Sequence, residues 1–224
     1  MLPTWWHLLP ASLGVAAIGT VLLLTYLYYQ FDDHGGGIQR QLWRMTIDHL
    51  QGDRRGSALD IGTGNGALAI ILAMENEQLK VTGVDLWNSD WEYSKLDCIG
   101  NARAGCVCER VVFEHGSADA LEFTDGQFDN VVSHFVFHEV SVARDKRMVI
   151  KEALRVLKPG GYFSFHDMFL DERLYGNVGE LEHLLRSWGI TRVSLVDTRA
   201  LLQAAPLLLG KHILGNCSLL CGQK

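Results

Sequence analysis

Two sets of residues in this chain have the types and spacing that chemistry needs. The first is Asp60-Ile61-Gly62-Thr63-Gly64-Asn65-Gly66, an acid followed by glycines at alternate positions. Glycines there let the backbone turn tightly and let a ligand lie against the main chain, while Ala67 to Met74 can begin a helix. A second acid, Asp85, ends the apolar run Val81-Thr82-Gly83-Val84, at the distance where such folds grip a ribose diol. Together they describe the cradle of a nucleotide-containing cofactor. Dinucleotide binders share the glycine spacing, so this pattern alone leaves the cofactor open.

The second set is His134, His138 and Glu139, with His166 and its neighbour Asp167 further on. They follow two apolar runs, and in an open α/β sheet the carboxyl ends of the strands line the ligand crevice. Histidine titrates near neutral pH, which suits a general base. Each also has a structural reading: His134 can cap its strand, His138 can start a helix, and His166 with Asp167 can be a satisfied pair supporting a loop. No metal is expected. His138 and Glu139 side by side lack a third ligand, and Cys106-Val107-Cys108 with His115 lacks zinc-site spacing. The five cysteines, Cys98, Cys106, Cys108, Cys217 and Cys221, are an odd number and are read as reduced thiols, the last two packed near a terminal strand.

These residues need a scaffold. Strands are expected at Ala58 to Ile61, Lys80 to Asp85, Val111 to His115, Phe128 to His134, Gly161 to His166 and Arg192 to Asp197. Helices are expected at Ala67 to Asn76, near Trp91 to Ala104, at Arg144 to Leu157 and at Val178 to Trp188. Such alternation calls for right-handed crossovers and a mainly parallel sheet. Gln39 to Leu50, with Trp43, Ile47 and Leu50 at helical spacing, reads as an amphipathic helix that covers the cofactor. Leu201 to Gly210 reads as a buried helix before a last strand, or as an apolar rim that dips towards a membrane.

Three further stretches narrow the cofactor: Gly116-Ser117-Ala118-Asp119-Ala120-Leu121-Glu122-Phe123, Phe128-Asp129-Asn130-Val131-Val132-Ser133-His134, and Val156-Leu157-Lys158-Pro159-Gly160-Gly161-Tyr162-Phe163. With the glycine turn and Asp85, their order and spacing resemble the class I S-adenosylmethionine-dependent methyltransferase family, from roughly Gly56 to Phe169. The likeness is strongest to small-molecule enzymes that include those of quinone biosynthesis, and to membrane-anchored bacterial relatives. It implies an α/β fold: a Rossmann-like, doubly wound, seven-stranded sheet, its antiparallel seventh strand at His212 to Cys221.

It also implies S-adenosyl-L-methionine as cofactor. By position, Asp60, Gly62, Thr63, Gly64 and Gly66 would hold its methionine end and Asp85 its ribose, while Leu86 or Trp87 would line the adenine. Many family members place an Asp directly after the glycine at Gly116. Here Ser117 stands in that place and Asp119 follows, so either could meet the base beside the Ala118 amide. Ser133 and His134 fall beside the reacting sulfonium.

From Trp5 to Phe31 the chain is apolar, and nothing charged precedes Asp32. That length suits a membrane span, with Trp5 and Trp6 at one interface and Tyr26, Tyr28 and Tyr29 at the other. A signal peptide fits less well, because no positive n-region and no small-residue cleavage site accompany the run. Arg40, Arg44, Arg54 and Arg55 follow it, which puts the remainder on the cytoplasmic side. The expected organisation is an anchor over 1–31, a linker and cofactor-covering helix over 32–55, and a methyltransferase domain over 56–224. A net charge of −6 argues against a general nucleic-acid binder. Tethering raises the effective concentration of lipid-dissolved molecules, so the expected acceptor is a small, hydrophobic or lipid-like molecule. A membrane-anchored NAD(P)-dependent oxidoreductase and a non-catalytic S-adenosylmethionine-binding scaffold are the alternatives. The first lacks a Tyr-x-x-x-Lys set at the expected place.

Overall fold

A computed structural model of the chain describes residues 8–32, 34–52, 54–88, 93–202, 204, 206–210 and 213–224. Trp5, Trp6, Trp91 and His212, to which the sequence assigned interface or element-start roles, lie outside them. The chain divides into two compact units, Met1–Leu42 and Trp43–Lys224.

The first unit is dominated by α1 (Leu8–Phe31). Within it, Ser12–Phe31 is long and apolar enough to cross a membrane. The hydroxyls of Thr20 and Thr25 donate back to Ala16 O (3.0 Å) and Val21 O (2.8 Å), so neither is an unsatisfied polar group on an apolar helix. The helix α2 (Ile38–Asp48) begins in this unit and ends in the next.

The second unit is built on seven strands: β1 (Gly56–Ile61), β2 (Leu79–Asp85), β3 (Val111–His115), β4 (Phe128–His134), β5 (Leu157–Asp167), β6 (Arg192–Asp197) and β7 (Ser218–Gln223). They form one sheet in the order β3-β2-β1-β4-β5-β7-β6, in which only β7 runs antiparallel to its neighbours. The order reverses between β1 and β4. Loops after adjacent strands part there, opening a crevice at their carboxyl ends. Helices α3 (Ala67–Glu75), α4 (Lys95–Ala104), α5 (Arg147–Arg155), α6 (Glu172–Tyr175) and α7 (Val178–Ser187) flank the sheet. Two apolar clusters hold the layers. Ile47, Leu50, Leu72 and Val81 belong to one, and Phe137, Ile150, Phe163 and Leu185 to the other.

The structure corrects several element boundaries, among them the seventh strand, which follows turns over 213–216 and runs from Ser218 to Gln223. β5 starts at Leu157 and not at Gly161, and α5 stops at Arg155. Pro159 has no amide to extend a helix, and the register with β4 jumps from Phe128↔Leu157 to Asn130↔Tyr162, so the Pro-Gly-Gly turn is taken up as a bulge. α4 begins at Lys95 because Ser94 and Asp97 close a capping box. The expected helix over 201–210 is absent among the described residues, which form turns around Pro206 and Gly210. Leu202 and Leu208 are buried there, and Leu201 and Leu207 are exposed.

Candidate active site

β1 delivers Asp60 into the crevice, almost fully buried. Burial pushes its pKa up to about 7, against the lowering effect of Thr63, whose hydroxyl donates to Asp60 Oδ2 at 2.7 Å. The chain then reverses at Gly62, where φ is +69°. A Cβ at Gly62 would lie 2.1 Å from Val136 Cγ2, so both conformation and space exclude a side chain. The Gly62 and Thr63 amides both donate to Val84 O, at 2.8 and 3.1 Å, and fasten the turn to the end of β2.

Asp85 faces this turn. Its Oδ2 accepts from the Gly64 amide (2.8 Å) and its Oδ1 from the Trp87 amide (3.0 Å). Each carboxylate oxygen retains acceptor capacity for a diol. Trp87, at φ +39°, sends its indole Nε1–H back to Gly64 O at 2.8 Å, while Leu86 is exposed. The Gly116 amide donates to Asp85 O at 3.0 Å, which sets the Ser117–Asp119 turn beside Asp85. In that turn the Ser117 hydroxyl donates to Asp119 Oδ1, and Ala118 is buried. Asn101 Nδ2 donates to Asn65 O at 2.9 Å, a brace from α4 with no local signal in the chain.

The other wall comes from β4 and β5. Ser133 is buried and donates to Ile61 O at 3.0 Å, so it ties β4 to the strand that precedes the turn. His134 Nδ1 lies 3.3 Å from Thr46 Oγ1 on α2, and its ring centroid is 5.1 Å from that of His166. Phe135, at φ +55°, completes a triangle of rings with the two histidines, its centroid 4.8 Å from each. Burial, with the charge of His166, holds the His134 pKa well below 6.5. Burial takes His166 down to about 4 even though Asp167 opposes the shift. His166 Nε2 pairs with Thr198 Oγ1 at 2.7 Å, and its Nδ1 is buried without a hydrogen-bond partner among the described residues.

Asp167 does not pair with His166, as adjacency in sequence would have it. Successive strand residues point to opposite faces. Asp167 Oδ1 instead lies 2.8 Å from His138 Nδ1, and its Oδ2 accepts from the Phe137 amide at 2.9 Å. His138 Nε2 lies 3.1 Å from Glu139 Oε1. Burial alone would lower the His138 pKa, but Asp167 and then Glu139 outweigh it and hold it above 6.5. His138 sits in a 3₁₀ turn, Phe137–Glu139, not at the start of an α-helix.

The glycine cradle, the acid facing it and the Ser117 turn tied beside that acid fit the cofactor of the resembled family. Among the described residues, no group of three or more His, Cys, Asp and Glu could hold a metal ion.

Comparison with known proteins agrees with this geometry. The profile described as a methyltransferase domain matches residues 59–165. An arsenite methyltransferase from Aquipseudomonas alcaligenes is 33% identical over 165 residues, covering 62% of this chain and 45% of its own length. A ubiquinone/menaquinone biosynthesis C-methyltransferase, UbiE, from Geotalea daltonii is 29% identical over 126 residues, covering 56% and 51%. Among solved structures, a SAM-dependent methyltransferase from Aquifex aeolicus superposes with a TM-score of 0.52 at 21% identity, covering 81% of this chain and 90% of that one, which speaks for the fold. The chain spans about half the length of the curated relatives it matches. Residues 59–165 thus match a methyltransferase domain, and the chain is similar to small-molecule methyltransferases that include quinone-biosynthesis enzymes.

Proposed function

We propose that the protein transfers the methyl group of S-adenosylmethionine to a small, hydrophobic or membrane-associated acceptor from the cytoplasmic face of a membrane. One observation carries the methyl-transfer reading. A side-chain-free turn at Gly62 and Gly64 meets the Asp85 carboxylate at the point where the strand order reverses.

In this reading Asp60, Thr63 and the glycine turn hold the methionine end. Asp85 takes the ribose diol, Leu86 and Trp87 border the adenine, and Ser117 or Asp119 with the Ala118 amide meets its edge. Ser133 and His134 back the reacting centre. When bound, the cofactor supplies an electrophilic methyl on a good leaving group. The protein has to align the acceptor, exclude water and take up a proton where the acceptor carries one.

The membrane part of the reading rests on α1, whose Ser12–Phe31 stretch is apolar with exposed side chains. The arginines that follow favour a cytoplasmic domain, with residues 1–31 as anchor, 32–55 as joint and covering helix, and 56–224 as the enzyme. The similarity to a ubiquinone/menaquinone biosynthesis C-methyltransferase supports a lipid-soluble acceptor.

The test is to incubate full-length protein in vesicles of extracted bacterial lipid with methyl-labelled S-adenosylmethionine. Label should enter the organic phase, and removing residues 1–30 should lower that incorporation. Label confined to water-soluble products, or incorporation unchanged by the truncation, would overturn the membrane acceptor.

A further inference from the structure

The large apolar side chains that the second unit exposes are not spread evenly. Among its described residues, most of them lie at the carboxyl edge of the sheet, where the crevice opens. Leu86, Tyr93 and Leu96 follow β2, Val142 and Met148 follow β4, and Leu201 and Leu207 lie in the connection from β6 to β7. Away from that edge stand only Met74, near the end of α3, and Val112, on the outer strand β3. Leu96 and Val142 are the most exposed, at 79% and 71%. With strands about 4.8 Å apart, the rim from β2 to β6 runs along roughly 25 Å of sheet edge. Single exposed apolar residues are ordinary, but a set drawn from three separate connections onto one edge marks an interaction surface.

The charges beside the rim suit a lipid surface. Lys95 and Arg144, next to Leu96 and Val142, are exposed. The acids nearest them are occupied: Asp97 closes the capping box, taking the Ser94 hydroxyl at 2.6 Å, and Asp145 takes Arg147 Nε and Nη2 at 2.8 Å each. Apolar tips with exposed bases at their feet can put the tips among acyl chains and the bases among anionic headgroups. The chain also carries its own route to that phase. Residues 32–37 are all that separate α1, with its apolar stretch Ser12–Phe31, from α2, a reach of about 25 Å at full extension.

We propose that the mouth of the crevice docks on the bilayer, with Leu96, Val142, Leu201 and Leu207 entering the acyl layer, so that a lipid-dissolved acceptor passes from membrane to crevice without crossing water. This rests on the membrane reading above and deepens it. An anchor fixes distance and leaves orientation open: with the mouth turned to water, an apolar acceptor would have to leave the lipid before it could react. A docked rim removes that step. It also gives Leu201 and Leu207 a role that the buried Leu202 and Leu208 beside them cannot have.

The test uses full-length protein in vesicles of phosphatidylcholine and phosphatidylglycerol. The exposed Cys106 and Cys108 are replaced by Ser, and one cysteine at a time is introduced to carry a fluorophore. Lipid with a doxyl group on its acyl chain should quench labels at Leu96→Cys, Val142→Cys and Leu207→Cys by at least about threefold more than a label at Val112→Cys, with Leu22→Cys in α1 as the reference for full immersion. Replacing Leu96, Val142 and Leu207 together by Asp should lower the methyl label entering the organic phase by about 10-fold, with S-adenosylmethionine affinity by calorimetry unchanged. Docking is overturned if Leu22 is quenched and the rim labels are no more quenched than Val112, or if the triple Asp variant labels the organic phase as fast as wild type. Rim labels shielded from water but not quenched, in protein that sediments as a dimer, would overturn it in favour of a second copy on the rim. A Leu22 label that is not quenched would instead bring down the membrane reading, and the docked rim with it.

Discussion

The two walls of the crevice are built on different principles. The wall from β1 and β2 is made of backbone: the Gly62, Thr63 and Gly64 amides are pinned by Val84 O and Asp85, and a single buried acid, Asp60, stands behind them. The wall from β4 and β5 is made of side chains: three imidazoles and Phe135 packed ring against ring, with one carboxylate beneath. A backbone cradle recognises a cofactor whatever is to be methylated, whereas a side-chain wall can be changed residue by residue. In the proposed reading, cofactor choice belongs to the first wall and acceptor choice to the second.

The difference also has a sign in pH. Asp60 keeps its proton up to about pH 7 when folded and releases it near 3.8 when unfolded, so its contribution to stability falls as pH rises between those values. His166 takes a proton near 6.5 when unfolded and only near 4 when folded, so its contribution falls as pH drops through that window; the lowered His134 acts in the same direction.

The sharpest break of the backbone wall is Gly62→Ala. The new Cβ would collide with Val136 at an unfavourable φ, and on the order of 2–4 kcal/mol of stability should be lost together with cofactor binding, by denaturant melts and calorimetry. Next comes acid titration of the side-chain wall. Between pH 6.5 and 4 His166 should cost the wild type about 3 kcal/mol, the lowered His134 should add to that loss, and Asp60 should offset about 3 kcal/mol of it. Asp60→Asn should remove the offset and steepen the loss; a shallower loss would mean that Asp60 is ionised in the folded state.

A smaller effect sharpens the link between Asp60 and the cofactor. The cofactor's positive charge should favour the Asp60 carboxylate, so binding near pH 6.5 should release a fraction of a proton, read from calorimetry in buffers of different ionisation enthalpy, and Asp60→Asn should abolish that release. Smallest is Ser133→Ala, which removes one bond between the walls and should cost about 1 kcal/mol with little effect on binding.

The two walls were unequally legible in the sequence. Alternating glycines and strand-end acids are local signals, because a positive φ or a carboxylate at a strand end is demanded by a few consecutive residues. Gly62, Gly64, Asp60 and Asp85 were read as candidates that way, and the sheet followed from its apolar runs. The histidine wall depends on which strands become neighbours and which face each residue takes. Asp167 looked like a partner for His166, yet it serves His138, 29 positions earlier. Thr46 and Thr198 gave no signal at all, since a threonine hydroxyl near a histidine is visible only once α2 and the end of β6 are in place. Period-2 alternation along β5 was the one available clue that His166 and Asp167 face opposite ways.

The most direct test of the account is calorimetric titration of S-adenosylmethionine, and separately NADH, into the detergent-solubilised full-length protein, with Asp85→Ala as the comparison. Saturable binding of S-adenosylmethionine, at least about 10-fold weaker in a folded Asp85→Ala variant and with no heat from NADH, is the expected result. Binding of NADH instead, no binding of either, or an Asp85→Ala variant that binds as tightly as wild type would contradict the reading of the backbone wall as a methyl-donor cradle.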